Sequence, residues 1–527
     1  MRHLLIPLAL TVLLVGCSKS PEEKQKRLYS DAAEALDAFK FEEAQAIGQQ
    51  FVQVDPTSPM PRFLAGLAHE RRLHYYDALG AYVSLTNTHP SFADAHIAAW
   101  RMFMELNLMP EAMNAAVEYR KLLPQDGVAA AAMALTMIRS DLAGRAHAYL
   151  DTAVAQGVDR SVAAMIHARA YIVEDKPNQA DSAYEAGLVG AGGRVEVYAA
   201  AADYLEALGL VDSAVVLSRK ALAASKDDFR QAVRHFRLAV RNHYFFDADK
   251  ILAQLRAKEV PVGVVKLLEA LRYDAAGLIS QAKDALDQSI SRGESNVSTR
   301  MYESDIKIKA SDELALMNNF QVLSVLLVKE GYDSEFQELM FYLLGVQAGS
   351  WMQGTMGLPF MGEARPKYQN RAPLYILRTL ALYESGRTEE FNQRIDDILK
   401  HHRNQIDWVV GLGDIYSDRD VHEYDKMAQY YQQALEMNPW YQPAFTKWVA
   451  TYRLLGRYDD IAKLFETYAH FPERFPQLAM LEGICLVEGG MADRGMAVYA
   501  MNGPLARGDE MLHRQMAKAL RNRWSTA

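Results

Sequence analysis

The 527-residue sequence has only two cysteines, Cys17 and Cys485, which lie far apart in the chain. Two thiols supply neither a disulfide framework nor a four-cysteine zinc site. Blocks of positive charge are lacking too, since the formal net charge is −9 and both signs are spread along the chain. Nucleic acids and anionic membrane surfaces are bound through basic patches, so we expect neither as a partner.

No motif of a catalytic or nucleotide-binding site stands out. The glycines between residues 345 and 362 are not followed by the Gly-Lys-Ser/Thr ending of a phosphate-binding loop. His69 and His74 are five residues apart, which on one helix turns them about 140° away from each other and argues against a shared metal ion. We therefore expect no cofactor, no metal ion and no nucleotide, and predict that the protein is not an enzyme. Catalysis stays open only if residues 296–371 build a site.

The strongly apolar run at the N-terminus is short. It covers residues 4–15, follows Arg2 and His3, and leads through Gly16 to Cys17. A run of this length is too short to span a bilayer as a helix, but it matches the apolar core of a signal peptide. The stretch resembles the signal of bacterial lipoproteins, in which the peptide is cut before the cysteine and the thiol then carries lipid.

The lipoprotein resemblance implies that residues 1–16 are removed, that Cys17 is lipidated and that residues 17–27 form a polar tether. Several acyl chains on one cysteine would anchor the protein stably, because a single chain binds a membrane only marginally. Ser18 rather than aspartate follows the cysteine. By resemblance to enterobacterial lipoproteins, this implies an outer-membrane anchor with the protein facing the periplasm. The alternative is an uncleaved anchor or an unmodified cysteine.

Alanine recurs along the first half of the chain every 34 residues. The series consists of Ala44, Ala78, Ala112, Ala146, Ala180, Ala214, Ala248 and Ala282. Twelve residues before each alanine stands another small residue, except at Trp100 and Phe236. This period and pairing resemble the tetratricopeptide repeat, which implies two antiparallel helices per repeat stacked into a right-handed superhelix.

The resemblance predicts an all-α solenoid of helical hairpins in two arrays, joined by an irregular helical junction. A small residue on each helix lets the pair close, so the third and seventh repeats should be splayed or repacked at Trp100 and Phe236. The predicted segments are an N-terminal array of about eight repeats (28–294), a junction with a Gly/Met-rich loop (295–371), a C-terminal array (372–507) and a capping helix (508–527). We expect junction helices over residues 311–329 and 334–346. Phe391, Met427, Ile461 and Gly495 mark the second helices of the C-terminal array.

Two surfaces are candidates for binding. First helices line the concave groove in this family, and the groove positions counted from the alanines are Ile97, Arg101, Met104, Ile138, Arg139, Met165, Arg169, Ile172, Arg237 and Arg241, with Asp203 and Glu206 as acidic members. They predict an apolar floor with charged blocks for a peptide or a partner helix. Alternatively, these residues pack internally or face water.

The second candidate surface is the junction loop. Trp351, Met352 and Phe360 make this loop apolar enough for an adaptable contact surface. Alternatively, the loop fills the seam between the two arrays.

These features predict a non-enzymatic scaffold, anchored by lipid and facing the periplasm, that docks other proteins of a cell-envelope assembly or export machine. Exopolysaccharide export and pilus assembly are fold-level analogies for that machine. The alternative function is binding of a glycan or a cell-wall fragment in the groove. That alternative predicts aromatic residues on the concave face, whereas the counted positions are mostly aliphatic or arginine.

Overall fold

A computed structural model describes residues 21–526, with gaps at 141, 190–191, 209, 227, 310–312, 352–370, 419–420, 440, 475 and 503–509. Within the described residues every regular element is an α-helix, and the helices follow one another as hairpins. The prediction of an all-α fold built from helical hairpins is confirmed.

The N-terminal array begins with eight hairpins. Their helices are α1 (Pro21–Asp37), α2 (Phe41–Val54), α3 (Met60–Arg71), α4 (Tyr75–Thr88), α5 (Ala93–Glu105), α6 (Met109–Leu122), α7 (Gly127–Arg139), α8 (Ala143–Ala155), α9 (Arg160–Val173), α10 (Pro177–Val189), α11 (Val195–Ala207), α12 (Val211–Ala224), α13 (Phe229–Arg241), α14 (Phe245–Ala257), α15 (Val262–Ala275) and α16 (Ile279–Ser291). Because α1 begins at Pro21, the second part of the predicted tether is helical instead.

The 34-residue alanine series marks the closest packing between the two helices of each hairpin. All eight alanines have 0% exposure. Gly66, at the matching place on α3, has no room for a side chain, because a Cβ there would come within 2.8 Å of Tyr82 Cζ. At the two exceptions the packing changes: Phe236 is completely buried, and Trp100 Nε1 donates a hydrogen bond to Thr136 Oγ1 in the next repeat.

The turn inside the hairpins also repeats every 34 residues. It ends in a residue with left-handed backbone, at Phe39, Leu73, Asn107, Asp175, His243 and Gly277. A left-handed residue directly after a helix lets the last backbone carbonyls of that helix accept hydrogen bonds. The sequence fills most of these places with residues other than glycine, so the turn has no simple sequence signature.

The array is longer than the sequence indicates. A ninth hairpin, α17 (Val297–Lys309) and α18 (Glu313–Lys329), follows in the same register. Ser304 lies 34 residues after Ala270 and is fully buried like it. The predicted end of the register at residue 294 is therefore wrong, because serine here replaces the small alanine of the first helix and Leu316 stands at the alanine position of the second.

The junction continues with one more helix, α19 (Ser334–Trp351). Both predicted junction helices are confirmed, although α19 is longer than its predicted span. Met352 and Phe360 lie outside the described residues. Trp351 ends α19, and its side chain lies outside the described part as well.

The chain after the eighth hairpin returns to the second one. Helices α17 and α19 both pack on α4. Val297 and Phe336 share a hydrophobic cluster with Leu79 and Tyr82. On the other side, Leu73 packs into a hydrophobic cluster formed by hairpins six to nine. The N-terminal array therefore closes on itself, which the sequence does not predict.

The C-terminal array consists of α20 (Ala372–Glu384), α21 (Thr388–His401), α22 (Ile406–Ser417), α23 (Tyr424–Met437), α24 (Gln442–Leu454), α25 (Tyr458–Thr467), the short α26 (His470–Arg474), α27 (Pro476–Glu488), α28 (Ala492–Asn502) and α29 (Glu510–Thr526). The marker residues Phe391, Met427, Ile461 and Gly495 are all buried. Helix α29 covers the end of the stack, since Leu512 and Met516 pack on Met480 and Ile484 of α27. None of the helices described is both long and apolar enough to cross a membrane.

Candidate functional site

The contact that closes the N-terminal array is a buried polar network, the closure seam, formed by His74, Asp77, Glu294, Asn296 and Ser298. Asp77 Oδ2 accepts hydrogen bonds from the Ser298 backbone N–H at 2.9 Å and from the Ser298 hydroxyl at 2.7 Å. His74 Nε2 lies 2.8 Å from Glu294 Oε2, and both side chains are almost fully buried. Buried polar groups need hydrogen-bond partners, and across the seam Ser298 and Asp77 supply them to each other.

Asp77 also joins the junction to the seam, because the hydroxyl of Tyr332 donates a hydrogen bond to its Oδ1 at 2.6 Å. Burial by itself raises the pKa of this carboxyl. His69, His74 and the hydrogen bonds from Tyr332 and Ser298 outweigh burial and hold the pKa below its usual value. Asp77 is therefore an ionised acceptor at neutral pH, with donors from two different parts of the chain.

His69 and His74 do come together, contrary to the expectation from their spacing. Helix α3 ends at Arg71, and Leu73 turns the chain with a positive φ of 66°. As a result the two rings lie 5.8 Å apart. Among the described residues, no group of three or more His, Cys, Asp or Glu side chains is placed to hold a metal ion.

The five apolar candidates of the predicted groove are core residues. The exposed fractions are 9% for Ile97, 8% for Met104, 4% for Ile138, 0% for Met165 and 6% for Ile172. They pack into clusters between neighbouring helices. The prediction that they form an apolar groove floor is wrong. Positions counted from the alanine series lie on the inward face of a helix, but the count does not distinguish residues buried against neighbouring helices from residues exposed in the groove.

The arginine candidates have a different environment. Arg101 donates to Glu70 Oε1 at 2.7 Å, and the same oxygen accepts the Tyr82 hydroxyl at 2.5 Å. Arg169 lies 3.9 Å from Asp203. Arg241 donates to Glu206 Oε2 at 2.9 Å.

Arg237, another arginine candidate, pairs with Glu105, which lies 132 positions earlier in the sequence. The two residues belong to the first helices of repeats seven and three, so their contact brings α13 next to α5. The Arg237 guanidinium also lies over the ring of Tyr75, 4.8 Å from the ring centroid. The superhelix is thus narrow enough here for opposite first helices to meet.

Arg139, another of the arginine candidates, donates hydrogen bonds to uncharged acceptors. It donates to the carbonyl oxygen of Met104 at 2.7 Å and to Asn107 Oδ1 at 2.9 Å. Burial lowers the pKa of Arg139, and the like charges of Arg169 and Arg241 lower it further, while Glu105 opposes them. An anion placed here would therefore relieve repulsion between guanidinium groups.

We call this surface the arginine groove, formed by Arg139, Arg169, Arg234, Arg237 and Arg241 with the carboxylates Glu105, Asp203 and Glu206. Five guanidinium groups face three carboxylates, which leaves two positive charges in excess. Two of its members, Arg234 and Glu105, are absent from the sequence-based candidates. Sequence spacing could have identified part of this set. Arg241 pairs with Glu206, 35 positions earlier, and Arg139 donates to the carbonyl oxygen of Met104, also 35 positions earlier.

Cys17 lies outside the described residues, as do Met352 and Phe360. Cys485 is free and buried on α27. Burial raises the pKa of its thiol to about 12. A thiol that stays protonated at neutral pH is a poor nucleophile, so Cys485 behaves as a core residue.

The helical hairpins, their 34-residue period and the buried small residues make this chain a solenoid of the tetratricopeptide type. No family model and no curated protein sequence matches it. Among solved structures, it is similar to MamA, with 19% identity over 31% of this chain and 96% of that chain, and a TM-score of 0.24. For the APC/C hetero-tetramer Cut9–Hcn1 the identity is 12% over 95% of this chain and 98% of that chain, with a TM-score of 0.31.

A tetratricopeptide repeat protein from Parabacteroides merdae is 13% identical over 53% of this chain and 97% of that chain, with a TM-score of 0.26. Similarity at this level carries no argument about function. The helices and their packing establish the fold.

Proposed function

We propose that this chain is a non-enzymatic scaffold that binds a protein partner along the arginine groove. The observation that carries the proposal is the charge of that surface. The groove has two more guanidinium groups than carboxylates, although the whole chain has a net charge of −9. Arg139 in particular donates its hydrogen bonds to neutral acceptors.

The chemistry of the groove favours an acidic partner segment. Guanidinium groups bind carboxylates through two parallel hydrogen bonds, which gives geometric specificity as well as energy. Closure of the array holds α5 and α13 in place before binding, so little ordering of the scaffold is needed. The partner would supply carboxylates where Arg139, Arg169 and Arg241 now repel one another.

We further propose that the scaffold is held at a membrane by lipid on Cys17, in the outer membrane and facing the periplasm. The Leu-Val-Gly-Cys sequence and Ser18 after it support this proposal. Only residues 18–20 separate Cys17 from the start of α1, and three residues span about 10 Å at most. The first repeat would then lie close to the bilayer, where an envelope assembly or export machine could be docked.

Crosslinking in native membranes tests the part of the proposal that concerns the partner. The groove variant combines Arg139→Gln, Arg169→Gln and Arg241→Gln. The matched control combines Arg145→Gln, Arg160→Gln and Arg292→Gln, three exposed arginines outside the groove. We expect wild type and control to crosslink the same protein and the groove variant to lose it. Equal crosslinking by both variants, or recovery of a saccharide with no protein, contradicts the proposal.

A further inference from the structure

A small cavity lies beside the closure seam. Its volume is about 160 Å³, and its walls come from hairpins two, three, seven, eight and nine. Leu106, Leu267, Leu271 and Met301 supply apolar surface. Tyr75, Tyr76 and Tyr302 supply aromatic surface. Because the walls belong to both ends of the closed array, the cavity exists only while the array is closed.

The cavity and the arginine groove share one residue, Arg237. Arg237 lines the cavity, stacks over Tyr75 and pairs with Glu105. Glu105 in turn interacts electrostatically with Arg139 inside the groove. A ligand that occupies both the groove and the cavity would therefore contact the Arg237 guanidinium where the two surfaces meet.

The size and lining of the cavity define what it can hold. Cavities of about 150 Å³ lined by apolar side chains admit a benzene ring. Burial raises the pKa of the Tyr75 hydroxyl to about 12, so this wall is uncharged at neutral pH. Asp305, also in the lining, carries a carboxylate and therefore disfavours a carboxylate of the ligand inside the cavity. One phenyl-sized group fits, with acidic groups only toward the groove.

We propose that the cavity is the anchor site for a phenylalanine-sized side chain of an acidic partner segment, whose carboxylates lie along the arginine groove. The inference rests on the proposed scaffold function and names the chemistry of its partner. Interface hot spots are buried side chains that fill well-packed pockets, and a few of them carry most of the binding energy. The anchor would also bridge hairpins two and nine, so binding would stabilise the closed array.

The test uses the full chain and three labelled peptides. The first is acetyl-Asp-Glu-Phe-Glu-Asp-amide; the second has alanine in place of phenylalanine; the third keeps phenylalanine but has amides in place of the carboxylates. All three carry the same fluorophore, and fluorescence anisotropy gives their affinities. We expect the first peptide to bind about tenfold more tightly than either of the others. Equal affinities for the phenylalanine and alanine peptides overturn the inference, and this comparison needs no protein variant.

A cavity-filling variant locates the site. Leu271→Trp places a larger side chain in the cavity, and Leu454→Trp makes the same change at a residue that is 89% exposed in the C-terminal array. The first variant should abolish the advantage of phenylalanine over alanine, and the second should leave it unchanged. If Leu271→Trp, folded as judged by its thermal unfolding, keeps the advantage, the cavity is not the anchor site. If the groove arginines still govern crosslinking in membranes, only the inference about the anchor has failed; if they do not, the proposed function has failed.

Discussion

Asp77 and Ser298 are 221 positions apart in the sequence, yet they share three hydrogen bonds. Asp77 Oδ2 accepts from the Ser298 amide at 2.9 Å and from the Ser298 hydroxyl at 2.7 Å, and the Asp77 amide donates to Ser298 Oγ at 3.3 Å. This pair brings the ninth hairpin onto the second. Helices α17 and α19 also pack on α4, the helix that contains Asp77. Closure therefore depends on specific polar contacts as well as on apolar packing.

Replacement of Asp77 by alanine should destabilise the closed array. The change leaves the Ser298 amide and hydroxyl and the Tyr332 hydroxyl without their acceptor. Buried donors without a partner cost roughly 1–3 kcal/mol each, so we expect the unfolding free energy to fall by at least that amount. Urea unfolding followed by circular dichroism measures it. Asp284→Ala, at an exposed position of α16, is the control and should cost nothing; an equal loss in both variants contradicts this account.

Stability should decrease as the pH falls below neutral. Burial lowers the pKa of His69, His167 and His235 in the folded chain. The unfolded chain therefore binds protons first, so the stabilisation is complete above the ordinary histidine pKa of about 6.5 and is lost as the pH falls through it.

Urea midpoints between pH 8 and pH 5 check this prediction. His167→Gln removes a ring that lies 2.7 Å from His147 across their Nδ1 atoms, so its midpoint should depend less on pH. A midpoint that is constant or rises toward pH 5 would show that the three histidines do not govern stability.

Cys485 should not react in the folded protein. Burial raises its thiol pKa to about 12, so little thiolate is present at pH 8. In the chain that starts at Ser18, Cys485 is the only thiol. Ellman's reagent should detect no thiol in buffer and one after denaturation in urea. Rapid reaction in buffer would show that α27 is not packed as described.

Lys226→Gly should stabilise the fold. Lys226 is exposed and has a positive φ of 56°, a conformation that costs a side-chain-bearing residue about 1 kcal/mol and glycine almost nothing. Lys220→Gly is the matched control, because Lys220 is exposed in the middle of α12, where glycine costs about 1 kcal/mol. Chemical denaturation should therefore shift in opposite directions for the two variants; a loss in both would remove the case for backbone strain at Lys226.

The sequence predicts the repeated hairpins well, because helix packing inside a repeat depends on local residues such as Ala78 and Gly66. It fails at the ninth hairpin, where Ser304 serves as the small residue. It does not predict closure, since that depends on small rotations summed over many repeats. For the same reason it could not pair Arg237 with Glu105, although it identified Arg237 as a groove residue.

The apolar groove candidates show a second limit of sequence reasoning. A helix in a solenoid packs against neighbours on two sides, so an inward-facing Ile138 can be buried while Arg139 next to it stays partly exposed. The pattern of apolar residues gives the core face of a helix but not the width of its open strip. Among the predicted groove residues, the arginines identify the candidate binding surface, whereas the apolar residues belong to the core.

The most direct test of the central claim is a crosslink across the closed array. Asn87 and Asp333 share an exposed hydrogen bond of 3.0 Å over 246 positions. In a chain without Cys17, the pair Asn87→Cys and Asp333→Cys should be joined by a short bismaleimide reagent in the folded protein. The pair Asn87→Cys and Asp284→Cys should not. A closed array predicts a nearly complete intramolecular crosslink for the first pair alone; two reactive thiols that fail to crosslink there would contradict closure.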